Sequence, residues 1–240
     1  MYNIHQLLEW DTKFFGYKIA AVHTLNLNLR ELGKIITELK KYEYKLAYCF
    51  VNPDDDISNS SLKSSSGLLV DKKITFSIPT DNLDNFPNCT LVKPYNLNYA
   101  TEKLKSLALQ SGIYSRYKTD PNFKNNEFER LYIEWIEKSV KRVIAKEVLV
   151  YYENEDEKGL ITLELKKNIG SIGLLAVDEK ERGKSIGKKL VQEALLYFKN
   201  LKTGTVEVVT QTDNISACGF YRSMGFETKS IVNIYHLWIN

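Results

Sequence analysis

Hydrophobic residues recur with two different periods along the chain, and the period changes from segment to segment. Between 28 and 42 they return every three to four positions with lysines on the opposite side, which predicts an amphipathic helix. Similar spacing predicts helices over 98–110 and 126–141. Runs rich in β-branched and aromatic residues predict strands, over 17–25, 44–51 and 68–78.

The stretch from Ser171 to Phe226 carries the clearest order of elements. An apolar run ends at Val177, and a charged loop with two glycines leads into a strongly periodic helix, a strand over 206–210 and a short second helix. Before this stretch, strands over 146–153 and 158–166 are joined by a polar turn, which predicts a hairpin. Because a helix N-terminus presents backbone N–H groups without intrahelical partners, the order strand, loop, helix predicts an anion site.

The polar segment over 52–67 has two interpretations. Its Ser, Asn and Asp residues are typical of a linker, but the acidic residues 54–56 and the closing Gly67 also fit a helix with an acidic start and a glycine stop. As a helix, it completes an order of strand, helix, glycine and long strand that also occurs over 205–239. The first half of the chain therefore echoes the second weakly. The first half has no phosphate loop, so we predict no second cofactor site in that half.

The segment over 79–88 is rich in Pro, Asp and Asn and has no periodicity. This composition is typical of a domain boundary. We therefore expect a smaller N-terminal α/β domain over 1–88 and a larger domain over 89–240.

Composition narrows the classes of function. The chain has 240 residues with a formal charge of only +3, which argues against a nucleic-acid partner. It has no apolar run near the roughly 18 residues of a membrane span and no secretory pattern, so we expect no membrane partner and a cytoplasmic location. Three widely spaced cysteines, Cys49, Cys89 and Cys218, fit neither a disulfide framework nor a zinc site, and the histidines form no metal-spaced pair. We expect reduced thiols and no metal.

The loop before the long helix reads RGKSIG over 182–187. Gly183 and Gly187 remove the Cβ atoms that would keep a phosphate away from the backbone. Arg182, Lys184 and the two lysines that follow the loop add positive potential. The loop matches neither the nucleotide triphosphate loop nor the dinucleotide fingerprint.

Together, RGKSIGKKLVQEAL, the preceding GLLAVDEKE and the following NISACGFYRSMGF resemble the acetyl-CoA-binding core of the GNAT acyltransferases. In that family the loop holds the CoA pyrophosphate, and this chain departs from the pattern at Ser185, which replaces its middle glycine. The resemblance implies an α/β (α+β) GNAT fold, a mixed twisted sheet flanked by helices with a smaller N-terminal half that echoes the C-terminal part, and acetyl-CoA as acetyl donor. The residues it implies for binding acetyl-CoA are Leu175, Ala176, Val177, Arg182, Gly183, Lys184, Ser185, Ile186, Gly187, Lys188, Asn214, Ala217 and Phe220.

The second family motif places an Asn against the pantetheine arm and a Tyr beside the sulfur, positions taken here by Asn214 and Tyr221. The implied reaction is direct acetyl transfer to an amine. Tyr221 would be the catalytic acid that protonates the departing thiolate, and a backbone N–H near 175–177 would stabilise the oxyanion. The amine must also lose a proton; Glu164, and Gln211 through a water, are open candidates for that role.

Outside this core, the chain resembles the GNAT branch that acetylates dTDP-linked 4-amino-4,6-dideoxyhexoses for surface polysaccharides. The likeness rests on an N-terminal W-x-x-x-F-F-G, an SRY loop over 115–117, Phe123, YIEWIE over 132–137 and TQTDN before the second motif. It implies that an amino-sugar nucleotide is the acceptor and that the N-terminal domain contributes to its pocket. The implied substrate-binding residues are Trp10, Phe14, Phe15, Tyr114, Arg116, Tyr117 and Gln211.

Two alternatives stay open at this point. The same core would serve a GNAT enzyme that acetylates a protein N-terminus, a polyamine or an antibiotic, because a fold does not fix a substrate. A protein that senses acetyl-CoA without turnover is the other alternative, against which Tyr221 argues. A homodimer is neither indicated nor excluded.

Overall fold

A computed structural model describes residues 5–23, 26–81, 83 and 87–239. This part of the chain forms eight α-helices and ten strands. The strands are β1 (His5–Leu7), β2 (Lys18–His23), β3 (Tyr44–Val51), β4 (Leu68–Pro79), β5 (Val92–Pro94), β6 (Glu147–Glu153), β7 (Asp156–Lys166), β8 (Ile169–Val177), β9 (Thr205–Gln211) and β10 (Glu227–Trp238). The helices are α1 (Glu9–Phe15), α2 (Leu29–Lys41), α3 (Asp56–Ser64), α4 (Glu102–Ser111), α5 (Arg116–Thr119), α6 (Glu127–Val140), α7 (Ile186–Asn200) and α8 (Ile215–Ser223).

All ten strands belong to one mixed sheet in the order β1-β2-β3-β10-β4-β9-β8-β7-β6-β5. Only the β2–β3 and β8–β9 pairs are parallel. Successive side chains of a strand point to opposite faces, so α7 and α8 pack on one face of β7 and β8 while α4 and α6 pack on the other. The predicted mixed sheet flanked by helices is confirmed.

The echo between the two halves is stronger in the structure than in the sequence. The unit β1–β2–α2–β3–α3–β4 has the same order as β7–β8–α7–β9–α8–β10. The sheet order reads alike outward from the central β10–β4 pair, because β10 pairs with β3 and β4 pairs with β9. Each half therefore places its last strand beside the other half. Strands from the two predicted domains therefore interleave in one sheet. Residues 82 and 84–86 of the predicted boundary lie outside the described part. The division at residue 88 stays a prediction.

Most predicted elements lie where the sequence placed them. The segment 52–67 is a helix rather than a linker, since Asp55 caps α3 by accepting a hydrogen bond from the Ser58 N–H. Its end differs in detail: Ser66 takes the left-handed conformation at φ 63°. Gly67 is needed for space, because a Cβ there would lie 2.8 Å from the Leu62 carbonyl oxygen.

Four short elements were not predicted: the helices α1 and α5 and the three-residue strands β1 and β5. Helix α1 has only seven residues, which is too short for an apolar period to be recognised, and none of them is buried. Helix α5 is a single turn that begins at Arg116, where the sequence had indicated a loop. Residues 24 and 25, the end of the strand predicted over 17–25, lie outside the described part.

In the described ranges, no helix has both the length and the apolar character needed to cross a membrane.

Candidate active site

The parallel strands β8 and β9 separate in the middle of the sheet. They pair from Ile169–Thr205 to Ile172–Val208. Beyond that point β8 pairs with β7 as far as Val177, and β9 pairs with β4 as far as Gln211. Among the described strands, the edge of β8 that faces β9 therefore has no partner after Ile172. Its N–H and C=O groups can bind an extended ligand inserted between the strands.

A bulge in β8, where Gly173 and Leu174 face the single residue Thr162 of β7, accompanies this separation. The register between β7 and β8 shifts between Ile161 and Leu163, and the Leu174 N–H donates to the Thr162 hydroxyl at 2.8 Å. Gly173 makes room for the neighbouring carboxylate, because a Cβ there would lie 2.6 Å from Glu164 Oε1. The bulge of β8 thus lies beside Glu164 of β7, at the point where β8 and β9 diverge.

The loop between β8 and α7 is built for close approach of a ligand to the backbone. Gly183 has φ +81°, and a Cβ there would meet no atom within 4 Å. Ser185 also adopts the left-handed conformation, with φ 60° and ψ 15°, although it is not glycine. Its side chain does not cap α7. The first N–H groups of the helix are therefore left for an anion, which is the construction that a CoA pyrophosphate requires.

Charged side chains surround this loop in the arrangement that its sequence indicated. Arg182 is exposed, and its Nε donates to the Val177 carbonyl oxygen at 3.3 Å. Lys184 pairs with Glu181 at 2.5 Å, and Lys188 is exposed on the first turn of α7. These cations lie at the positive end of the helix dipole, where they add to the attraction for phosphate.

The other residues implied for acetyl-CoA binding lie on both sides of the gap. Leu175 lines the cleft described below, Ala176 is buried in the cluster with α4 and α6, and Val177 packs on the opposite face. Ile186 is buried, and a Cβ at Gly187 would lie 3.6 Å from the Phe220 ring.

Helix α8 brings the second motif to the same gap. Asn214 caps the helix by accepting a hydrogen bond from the Ala217 N–H at 3.2 Å, and all three residues Asn214, Ala217 and Tyr221 line the cleft. Tyr221 is only 5% exposed, with Phe76 and Phe220 beside its ring. Burial, and then the nearby Cys218, raise the pKa of Tyr221 above its ordinary value. Its hydroxyl is therefore protonated at neutral pH and can act as a proton donor.

A cleft of about 590 Å³ continues from this gap toward the N-terminal half. Of the residues implied for acceptor binding, Trp10, Arg116, Tyr117 and Gln211 line it. Phe14, Phe15 and Tyr114 do not. Phe14 stacks on Trp10 with a centroid distance of 5.1 Å, and Phe15 stacks on Tyr117 at 5.7 Å, so both support residues of the cleft wall. Tyr114 is exposed on the surface outside the cleft.

The guanidinium of Arg116 lies between two aromatic rings. Its centre is 4.8 Å from the ring of Tyr48 and 4.7 Å from that of Tyr117, and Nη2 donates to the Tyr117 hydroxyl at 2.7 Å. Behind Tyr48 lies the buried ring of His236, which is hydrogen-bonded to Asp120 at 2.6 Å. This stack fixes the position of a cation in the wall of the cleft.

Sequence reasoning missed six charged residues of the cleft: Asp11, Asp71, Lys73, Glu134, Lys138 and Lys166. Asp71 is 7% exposed on β4, and burial raises its pKa to about 6, although Arg116 opposes the shift. The signal was present: an aspartate directly after the buried Val70, inside a strand, departs from the usual exclusion of carboxylates from strand interiors. Burial also raises the pKa of Glu164, which lies 3.7 Å from Lys166.

Residues 145–228, which include the separated strands, the loop, α7 and α8, match the family model described as "Acetyltransferase (GNAT) domain". The chain contains a GNAT acetyltransferase domain. It is therefore an acetyltransferase of the GNAT type that uses acetyl-CoA as acetyl donor, as the resemblance implied. The unpaired edge of β8 and the uncapped start of α7 fit that donor.

Two relatives match nearly the whole chain of this GNAT protein. The spore coat polysaccharide biosynthesis protein SpsD of Bacillus subtilis is 23% identical over 95% of this chain and 81% of its own length. A dTDP-fucosamine acetyltransferase of Escherichia coli is 24% identical over 93% of both chains. Among solved structures, a GCN5-related N-acetyltransferase from Sphaerobacter thermophilus aligns with a TM-score of 0.62 and 13% identity, over 92% of this chain and 73% of that one. This last likeness establishes the fold alone.

Proposed function

We propose that this GNAT enzyme acetylates the amine of a nucleotide-linked amino sugar, of the dTDP-4-amino-4,6-dideoxyhexose type, for surface polysaccharide biosynthesis. The names of the two near-full-length relatives support the substrate class. The cytoplasm, where such activated sugars and acetyl-CoA are available, is the expected location.

The observation that carries the proposal is a pair of cations in the cleft wall, Arg116 and Lys73. Both line the cleft, and neither forms an ion pair within the described ranges. Burial, and then the charge of Arg116, lower the pKa of Lys73. An anion placed beside both side chains would relieve their repulsion, and the planar fork of Arg suits a phosphate. A nucleotide diphosphate meets this requirement, whereas a polyamine, which is itself a cation, does not.

Aromatic residues at the cleft complete the argument for a nucleotide. Trp10 lines the cleft and is 46% exposed, with Phe14 stacked on its ring. An exposed indole backed by another ring provides a flat apolar surface for a nucleobase, and such stacking contributes about 1–3 kcal/mol. Since Trp10 comes from the N-terminal half, this assignment gives that half a role in acceptor binding.

The residues of the chain supply three actions around the acetyl group that acetyl-CoA provides when bound. The loop over 182–187 and the start of α7 hold its phosphates, and the unpaired edge of β8 after Ile172 presents N–H groups to its extended arm. One of those N–H groups, near Leu175–Val177, is placed to stabilise negative charge on the acetyl oxygen. Tyr221 donates its proton to the sulfur as the carbon–sulfur bond breaks.

An assay of thiol release from acetyl-CoA tests the proposal. The acceptors are dTDP- and UDP-linked amino sugars, the same sugars without the nucleotide, and a polyamine, a peptide N-terminus and an aminoglycoside. We expect turnover with a nucleotide-linked amino sugar and a much lower kcat/KM with the free sugar. Turnover with only the other amines would replace the proposed acceptor, and release with none of them would favour a protein that binds acetyl-CoA without catalysis.

A further inference from the structure

Asp71 is a buried carboxylate with one oxygen that no described residue hydrogen-bonds. It lies on β4, which belongs to the N-terminal half of the sheet, and its side chain lines the cleft. Its Oδ1 atom is buried without a hydrogen bond, and the carboxylate forms no ion pair with any described residue. A buried carboxylate in this state is costly unless a donor reaches it. A cationic or hydrogen-bonding group of a ligand would satisfy it.

The surroundings of Asp71 come from four elements. Burial has the largest influence on the pKa of the carboxyl and raises it. Arg116 of α5, a hydrogen bond from Gln211 of β9 and Lys73 of its own strand lower the pKa, and Asp213 after β9 raises it. Tyr132 of α6 is close enough for Asp71 to raise the pKa of its hydroxyl. Burial outweighs the two cations and raises the pKa of Asp71 to about 6. Such a group is ionised at pH 7 and is still basic enough to accept a proton.

The cleft has three other carboxylates, Asp11, Glu134 and Glu164, of which Glu134 pairs with Lys138 and Glu164 with Lys166. Glu164 lies 3.7 Å from Lys166, and its oxygen fills the space beside Gly173. Burial raises the pKa of Asp11, also in the cleft, and the charge of Arg116 opposes this shift. Among the described carboxylates of the cleft, only Asp71 has an oxygen that is buried without a hydrogen bond.

We propose that Asp71 binds the ammonium group of the acceptor and removes one of its protons before acetyl transfer. The proposal rests on the proposed function only in requiring that the acceptor is an amine. It assigns catalytic residues to both halves: Tyr221 as the acid from the C-terminal half and Asp71 as the base from the N-terminal half.

The proton and electron balance of the step is closed. One ammonium proton moves to the Asp71 carboxylate, and the freed nitrogen lone pair forms the bond to the acetyl carbon. The carbon–sulfur bond breaks with its electron pair on sulfur, which takes the proton of Tyr221. The second nitrogen proton returns to the Tyr221 oxygen through water, and Asp71 releases its proton to solvent. The products are the amide and free CoA.

The test compares Asp71→Asn with Asp71→Glu, Glu164→Gln and Asp213→Asn in acetyl transfer to the best amine of the panel. Asp213 is a matched control, because its carboxylate is close to Asp71 but its side chain is 72% exposed and lies outside the cleft. The readouts are kcat/KM against pH, the KM for acetyl-CoA, and the rate with a fluorinated analogue of the amine that is largely neutral at pH 7. Thermal unfolding reports whether each variant folds.

We expect the wild-type profile to fall on the acid side with an apparent pKa near the value of about 6 given above. Asp71→Asn should lower kcat/KM by about 10²–10⁴-fold, the usual contribution of a general base, remove the acid limb and leave the KM for acetyl-CoA unchanged. Asp71→Glu should recover part of the rate together with the limb, and the fluorinated amine should lose less than the ordinary amine. Asp213→Asn should keep the wild-type rate at neutral pH, with the acid limb shifted slightly to lower pH because the charge of Asp213 raises the pKa of Asp71.

Three results would overturn the proposal, one of which needs no variant. The first is a wild-type pH profile without an acid limb near pH 6. The second is loss of the acid limb in Glu164→Gln while Asp71→Asn keeps it. The third is an equal loss of rate for both amines in Asp71→Asn with the limb unmoved. Turnover with another amine but no nucleotide sugar would contradict the proposed function alone. In that case the Asp71 variants are compared with the wild type in acetyl transfer to the amine that does react.

Discussion

The two copies of the strand–helix unit differ at the start of their first helix. In the C-terminal copy, Ser185 leaves the start of α7 uncapped. In the N-terminal copy, the Asn28 side chain caps α2 by accepting from the Glu31 N–H at 3.0 Å. Asp55 accepts from the Asn26 N–H at 2.8 Å. The N-terminal copy therefore fills its potential anion site with its own carboxylate.

The strand pairs differ in the same sense. Strands β2 and β3 remain paired to the end of β2, where His23 lies beside Phe50, whereas β8 and β9 pair only as far as Ile172 and Val208. A ligand can enter between the second pair and not between the first. The comparison shows that one architecture serves as a binding site when its backbone groups are left free, and as a scaffold when they are bonded internally.

The helix caps that follow the third strand of each copy account for part of this difference. Asp55 and Asn214 both cap the second helix of their copy. Asp55 also reaches the preceding loop, and hydrogen bonds from Ser58 and from backbone N–H groups lower its pKa in spite of its burial. Asn214 bonds only near its own helix, to Ala217 and Thr210. A neutral, short-range cap thus leaves the C-terminal loop available to a ligand.

The largest effect on activity should follow from removing Tyr221, the proton donor of the C-terminal copy. Tyr221→Phe should lower kcat by about 10²–10⁴-fold, because the thiolate then leaves without a positioned acid. Binding of CoA, measured by calorimetry, should change little. Tyr197→Phe, on α7 and outside the cleft, is the control. An unchanged kcat in Tyr221→Phe would remove the role assigned to this hydroxyl.

A smaller effect on activity is expected from replacing Arg116, the cation in the wall of the cleft. Arg116→Ala should raise the KM for the nucleotide sugar by about 10–100-fold, since a hydrogen bond to a charged group contributes about 1.5–3 kcal/mol. The KM for acetyl-CoA should stay near that of the wild type. Lys118→Ala, in the same short helix but exposed and outside the cleft, is the matched control. If Arg116→Ala instead weakened the binding of acetyl-CoA, Arg116 would belong to the acetyl-CoA site and not to the acceptor site.

Glycines of the two copies should respond in opposite directions. Gly183→Ala forces a side chain into φ +81°, which costs about 1–2 kcal/mol, and should weaken CoA binding roughly tenfold. Gly33→Ala lies within α2 with open space around its Cβ, and should stabilise the fold by up to about 1 kcal/mol. Calorimetry and thermal unfolding measure the two effects. Equal CoA affinity in Gly183→Ala and wild type would show that the loop does not bind the phosphates.

The smallest effect on activity should come from replacing Asp55, the capping carboxylate of the N-terminal copy. Asp55→Ala should lower the free energy of unfolding by about 2–3 kcal/mol, because buried N–H groups lose their acceptor, while the KM for acetyl-CoA stays constant. Asp56→Ala, an exposed neighbour, should cost far less. An unchanged free energy of unfolding in Asp55→Ala, or a changed KM for acetyl-CoA, would contradict the structural role assigned to this carboxylate.

The stability difference between Asp55→Ala and wild type should depend on pH. The folded-state pKa of Asp55 is lower than its unfolded value. The contribution of its ionised form is therefore complete above the unfolded pKa of about 3.9 and is lost as the pH falls through the folded value. Denaturant titrations at neutral and strongly acidic pH should show the difference shrinking in acid.

Local patterns predicted much of this fold and of the donor site. The loop over 182–187, Asn214 and Tyr221 lie together because they are close in sequence and follow the ends of neighbouring strands. Asp71 and Lys73 could not be placed in the same way, since they reach the cleft only through the pairing of β4 with β9, more than a hundred residues away. The exchange of β4 and β10 between halves also depends on long-range pairing, which periodicity does not encode.

Amide hydrogen exchange with and without acetyl-CoA tests the central claim most directly, that one copy binds the donor and the other is closed. We expect slower exchange over 173–177, 183–188 and 214–221 when acetyl-CoA is added, and no change over 26–31 and 55–59. Protection of the segment 26–31, or none over 183–188, would contradict it.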